Sequence, residues 1–236
     1  MRFVSKILLA SCLLSAAAWP QTDSADLDRV LTQMDAAAKS FRSTEASVVW
    51  DEFQKVINDT ETETGKIYFR REGAETQMAV DFASPDVKYV RYTGGKVQVY
   101  LPKADQVDEY SPGKNRTEVE SYLVLGFGGS GHDLLKSYDV KFLGSETVNG
   151  VKAGKLELIP KSERLRNNFI ARILLWIDPA RGISVQQQFF QPDGKGGPGG
   201  DYRLAKYSDI KINQPLPDGV FKLKTTKKTK FVSPQS

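Results

Sequence analysis

From Ala46 onward the apolar residues of this chain fall on every second position, and that period constrains the fold more than any other feature. Successive side chains of a strand point to opposite faces, so a chain patterned this way can bury its apolar residues only as one face of a sheet. Val48 and Trp50 alternate with polar neighbours, and Ile67 and Phe69 do so after Gly65. Met78, Val80 and Phe82 are interleaved with Gln77, Ala79 and Asp81. Val90 and Tyr92 lead through Thr93-Gly94-Gly95-Lys96, a tight hairpin signal, into Val97, Val99 and Leu101, so neighbouring strands run antiparallel.

The remaining elements follow the same rules. A polar interval from Pro102 to Arg116 holds one more strand around Val107 to Tyr110, and a helical stretch is expected near Thr117 to Leu125. After Gly126 to Gly131 come a short helix around Asp133 to Lys136 and strands at Val140 to Leu143 and Leu156 to Ile159, divided by Asn149-Gly150. Ile173 to Ile177 and Ile183 to Phe190 form a pair across the turn Asp178-Pro179-Ala180-Arg181-Gly182. The loop Gln191 to Gly200 precedes a strand from Tyr202 through Ile212, and a last strand is expected near Val220 to Leu223. Ahead of all these, Leu27, Val30, Leu31, Met34, Ala38 and Phe41 recur at helical spacing, with Ser24 or Asp26 available as cap. The sum is mainly β (α+β), about ten to eleven strands in a single curved antiparallel sheet. Two or three short helices are too few to fill its concave face densely, so an apolar cavity is expected there.

The first residues set the compartment. Arg2 and Lys6 precede the apolar run Ile7 to Leu14, and Ser15-Ala16-Ala17-Ala18 follows it, the order of a secretory signal peptide spanning residues 1 to 18. The run is too short for a membrane span of about 20 residues. Its removal leaves 218 of the 236 residues as one domain, 19 to 236, and lowers the formal net charge from +4 to +2, because Arg2 and Lys6 go with it. That charge points away from nucleic acid. Cys12, the single cysteine, leaves too, which excludes thiol chemistry; the rival reading is acylation at Leu9-Ala10-Ser11-Cys12.

Catalytic chemistry finds no support. His132 is the single histidine and sits in a glycine-rich turn, where exposure is the ordinary expectation, and it offers no multi-histidine metal site. Gly126-Phe127-Gly128-Gly129-Ser130-Gly131 spells G-x-G-x-x-G without the βαβ unit that a dinucleotide site needs. It reads instead as a flexible break, a hinge in a lid, with Ser130 capping the helix that follows. Asp51-Glu52 and Glu61-Thr62-Glu63 read as solvated charge, and the five lysines from Lys222 to Lys230 as a solvated strand and tail. No enzyme activity, cofactor or metal is expected.

Particular residues add a resemblance. Gly65-Lys66-Ile67-Tyr68-Phe69-Arg70-Arg71, the strand Met78 to Phe82, the hairpin Tyr92 to Pro102, the Leu125-Gly126-Phe127-Gly128-Gly129 stretch and the closing Pro217-Asp218 to Phe221-Lys222-Leu223 resemble, in that order, the LolA-like family of periplasmic outer-membrane lipoprotein carriers. The resemblance implies an unclosed barrel lidded by an N-terminal helix and short helices. It implies a monomeric periplasmic carrier that takes the acyl chains of lipoproteins from an inner-membrane release complex to an outer-membrane acceptor. The cavity wall would then be Trp50, Ile67, Phe69, Met78, Val80, Phe82, Val90, Tyr92, Val99 and Leu101, and the lid Leu123, Leu125, Phe127, Leu134 and Leu135. Arg71 corresponds by motif to an arginine implicated in lid closure, although Glu72 stands where the family commonly has proline. The alternative is a related fold serving other lipids or hydrophobic ligands, or sensing envelope lipid or stress.

Overall fold

A computed structural model describes residues 22–233 apart from 74, 112, 114–121 and 196. The expected signal peptide and Cys12 lie outside the described residues, as does most of the expected helix Thr117 to Leu125.

Alternating apolar residues produce one curved, unclosed sheet of twelve strands. In chain order these are β1 (Ser43–Gln54), β2 (Asp59–Glu72), β3 (Glu75–Ser84), β4 (Lys88–Thr93), β5 (Lys96–Leu101), β6 (Gln106–Tyr110), β7 (Tyr138–Val148), β8 (Val151–Pro160), β9 (Arg172–Asp178), β10 (Ile183–Pro192), β11 (Pro198–Ile212) and β12 (Lys230–Val232). Their spatial order is β12-β6-β5-β4-β3-β2-β1-β11-β10-β9-β8-β7. Two hairpin meanders, β1 to β6 and β7 to β11, are therefore joined where β1 pairs with β11, with Trp50 opposite Ala205. Strands β7 and β12 are the free edges, so the barrel stays open.

Strand β12 pairs in parallel with β6. The sequence placed a last strand at Val220 to Leu223 instead. That segment is a 3-10 turn, Asp218–Phe221, whose Phe221 is buried beneath the Arg70 guanidinium at 4.4 Å. One anchoring aromatic ring does not need a strand to carry it.

Helix α1 (Thr22–Ser40) buries Val30, Leu31 and Met34. These pack with Leu156, Leu158, Ile173 and Leu175 over one half of the concave face. The other half holds Phe41, Ile67, Phe69, Met78, Val80, Phe82, Tyr92 and Phe127. Strand β9 is buried on both faces, since Leu174 and Trp176 point the other way into a smaller cluster with Val148 and Val185. Two short helices, α2 (Leu134–Ser137) and α3 (Glu163–Asn168), and a 3-10 turn, Pro102–Ala104, between β5 and β6 complete the described elements.

Candidate functional site

A cavity of about 320 Å³ lies on the concave face. Its wall is built by register. Ile67, Val80 and Val90 stand opposite one another across β2, β3 and β4, and Phe69, Met78 and Tyr92 form the next rung. Directly opposed side chains of this kind lie close enough to form a continuous apolar surface. Trp50, Phe82, Phe189 and Tyr207 extend it, and Tyr122 and Leu123 close it from above.

Of the wall residues read from the sequence, Trp50, Ile67, Phe69, Met78, Val80, Phe82 and Val90 line the cavity, as does Leu123 from the expected lid. Tyr92 is fully buried in the core beside it. Val99 stands opposite Val90 and Leu101 opposite Gln106, one strand beyond the cavity, and neither lines it. Leu125 and Leu134 pack with the helix α1 cluster, while Leu135 points outward, 38% exposed. The period of two gives the correct face for Val99 and Leu101, but the curvature of the sheet decides which strands surround empty space.

The segment from Tyr122 to His132 is fastened over the concave face at several points. Phe127 is fully buried, stacked on Phe69 at 4.2 Å and edge-on to Tyr207 at 5.0 Å. Gln187 donates from Nε2 to the Leu125 carbonyl at 2.5 Å while its Oε1 accepts from the Tyr207 hydroxyl at 2.9 Å. The Ser184 amide donates to the Gly126 carbonyl at 2.9 Å. Arg71 donates to the carbonyls of Gly128 at 2.5 Å and Ala38 at 2.8 Å. Burial pushes the Tyr207 phenol well above its ordinary range, so it stays a neutral donor.

One expectation is corrected: Ser130 does not cap α2, whose first turn receives no side-chain cap from Asp133; the Ser130 hydroxyl donates to Asp35 on α1 at 2.5 Å. His132 is partly exposed, as expected of its turn, and is also paired, because its Nδ1 meets Asp35 and its Nε2 meets Asp28 at 3.2 Å. The glycines answer to close approach as well as to backbone freedom. A Cβ on Gly128, where φ is +77°, would meet the Phe41 ring at 2.2 Å, and one on Gly131 would meet the Leu31 carbonyl oxygen at 2.3 Å.

Sequence reasoning missed Val48, Glu52, Glu63, Lys88, Tyr122, Gln187, Phe189, Arg203 and Tyr207 among the lining residues. Phe189 and Tyr207 lie on strands the pattern did locate. Glu52 and Glu63, read as solvated charge, face the cavity because they share the inward phase of Trp50: Glu63 stands directly opposite Trp50, and Glu52 follows it by two. No group of three or more His, Cys, Asp or Glu that could hold a metal occurs among the described residues. No helix among them is long and apolar enough to cross a membrane.

No protein-family model matches the chain. No curated protein matches its sequence. Solved structures do match its fold. MucB is similar over 84% of this chain and 63% of its own, less than two thirds of that protein, at 14% identity and a TM-score of 0.52. A LolA superfamily protein from Nitrosomonas europaea is similar over 84% of this chain and 97% of its own, at 16% identity and a TM-score of 0.39. The Mycobacterium tuberculosis lipoprotein LppX is similar over 83% and 99%, at 14% identity and a TM-score of 0.46. The likeness to MucB shows a shared unclosed-barrel fold.

Proposed function

We propose that the protein is a carrier that encloses acyl chains of lipoproteins or lipids and moves them through the periplasm. The observation that carries this reading is the apolar cavity itself, walled by Ile67, Val80, Val90, Met78 and Phe82 and covered by Tyr122 and Leu123. Each buried methylene is worth about 0.8 kcal/mol, so a chain that could not cross water alone crosses it inside such a space. The cover is held by the buried Phe127 ring and, through its backbone carbonyls, by Arg71, Gln187 and Ser184. In this reading the carbonyl bonds are exchanged when the cover moves, and an acyl chain replaces the contacts that Phe127 gives up. Arg71 is in this reading the gate residue, and the route runs from an inner-membrane release complex to an outer-membrane acceptor.

Native mass spectrometry of protein recovered from its own host tests the reading. Acylated protein or free lipid should accompany the wild type, and Val90→Trp, which fills the cavity from its wall, should remove it while the protein remains folded. Protein that comes away empty and takes up no single-, double- or triple-chain amphiphile in solution would overturn it.

A further inference from the structure

Among the described residues, four charged side chains line the cavity, and these four stand toward one end of it. Across β3, Lys88 on β4 pairs with Glu63 on β2 at 2.8 Å, and Arg203 on β11 pairs with Glu52 on β1 at 3.4 Å. The rungs explain the placement. Phe69 and Met78 are opposed at the apolar end, Ile67 and Val80 form the next rung, and Phe82 faces Lys88 beyond them. The concave face thus passes from hydrocarbon to charge within a few residues along each strand. Glu61, opposite Glu52 in register and exposed, adds a further carboxylate on the same face.

Volume limits what the apolar end can hold. With roughly 30 Å³ for a group the size of a water or a methylene, a cavity of about 320 Å³ takes about 11 methylenes, one tail. Three chains of about 16 carbons would need more than four times that space.

Charge limits the headgroup. A lone carboxylate could reach Lys88 or Arg203 only by displacing Glu63 or Glu52, leaving that glutamate half-buried without its partner, and separating such a pair costs more than it returns. A headgroup bearing both signs leaves nothing unpaired. Its phosphate takes the lysine or arginine, and its ammonium takes the freed glutamate.

Resting on the carrier reading, we infer that the preferred ligand is a single-chain amphiphile with a zwitterionic phosphate-ammonium headgroup, its tail on Ile67, Met78 and Val80 and its headgroup exchanged into the Lys88–Glu63 and Arg203–Glu52 pairs.

Titration of the purified full chain with lauroyl lysophosphatidylethanolamine, monolaurin, laurate and dilauroyl phosphatidylethanolamine, each below its micellar concentration, tests this. The lysophospholipid should bind at one per protein and about ten-fold more tightly than monolaurin or laurate, with the two-chain lipid weaker still. Replacing both pairs together, Lys88→Met with Glu63→Met and Arg203→Met with Glu52→Met, leaves no glutamate unpartnered and should abolish that preference, and a cooperative thermal transition shows that the variant is folded. Equal binding of lysophospholipid and monolaurin by the wild type would overturn the headgroup assignment. Tighter binding of laurate would do the same, and stoichiometric binding of the two-chain lipid would overturn the single-tail assignment; each of these outcomes leaves the carrier reading standing. Binding of none of the four, together with no uptake of a triacylated lipopeptide, would overturn both.

Discussion

Arg71 donates from Nη2 to the backbone carbonyl of Gly128 at 2.5 Å, joining the end of strand β2 to the segment that covers the cavity. The same guanidinium reaches Ala38 on helix α1 at 2.8 Å and lies 5.7 Å from the centre of the Phe41 ring, so three parts of the concave face meet at one side chain. Arg71→Gln removes the charged donor. We expect a loss of about 1 kcal/mol, since the group is partly solvated. Faster amide exchange should be confined to the 122–132 segment and the end of α1, and ligand uptake should quicken. Unchanged exchange in that segment would remove Arg71 from the gate.

Gly128 and Gly129 are neighbours with opposite expectations. Gly128→Ala drives a Cβ into the Phe41 ring at a backbone angle of +77° that L residues rarely adopt, and should cost about 2 to 4 kcal/mol by denaturant melts. A Cβ on Gly129 meets nothing within 4 Å, so Gly129→Ala should stay within about 0.5 kcal/mol of the wild type. Equal effects at the two sites would show that neither the Phe41 contact nor the left-handed backbone sets Gly128 apart.

The Asp35, Ser130 and His132 cluster predicts a pH dependence. Burial alone would raise the Asp35 carboxyl, but the Ser130 hydroxyl and then His132 outweigh it and hold it at about 2. Hydrogen bonds that its ring donates to the Asp35 and then the Asp28 carboxylate raise His132 above its ordinary 6.5. A lowered acid stabilises the fold above its unfolded value and loses that contribution as pH falls from about 4 toward 2. A raised histidine contributes fully below about 6.5 and loses its contribution as pH climbs through the folded value. The thermal midpoint of the wild type minus that of His132→Gln should therefore be greatest near pH 5 and shrink in the alkaline direction. A difference that grows with pH would contradict the ion pair.

Phe82→Glu is a weak probe of the cavity, because Lys88 Nζ lies 4.6 Å above the Phe82 ring and would neutralise the new carboxylate. Met78→Glu places the charge on the apolar rung opposite Phe69, away from the charged end. It should abolish acyl binding and cost several kcal/mol of stability. Undiminished binding by folded Met78→Glu protein would place the ligand elsewhere.

Export is checked by mass. Protein recovered from its own host should weigh what a chain beginning near Trp19 weighs. A diacylglycerol-sized excess on a chain beginning at Cys12 would show an anchored protein instead.

The period of two determined which residues turn inward, because side-chain direction in a strand is a local property of the backbone. Trp50, Ile67, Phe69, Met78, Val80, Phe82 and Val90 were legible on that ground alone, and so was the antiparallel order that the Gly94-Gly95 turn imposes. Three things were decided by tertiary structure. Which inward residues border empty space depends on where the covering segment lands, so Val99 and Leu101 share the inward face of Val90 without its exposure to the cavity. What the glycines of the 126–131 segment are for depends on Phe41 and Leu31, about 85 to 100 residues away in the chain, pressing against them. The pairing of Glu63 with Lys88 and of Glu52 with Arg203 exists only because strands distant in sequence lie close in the sheet, where a half-buried charge must find a partner that its sequence neighbours do not supply.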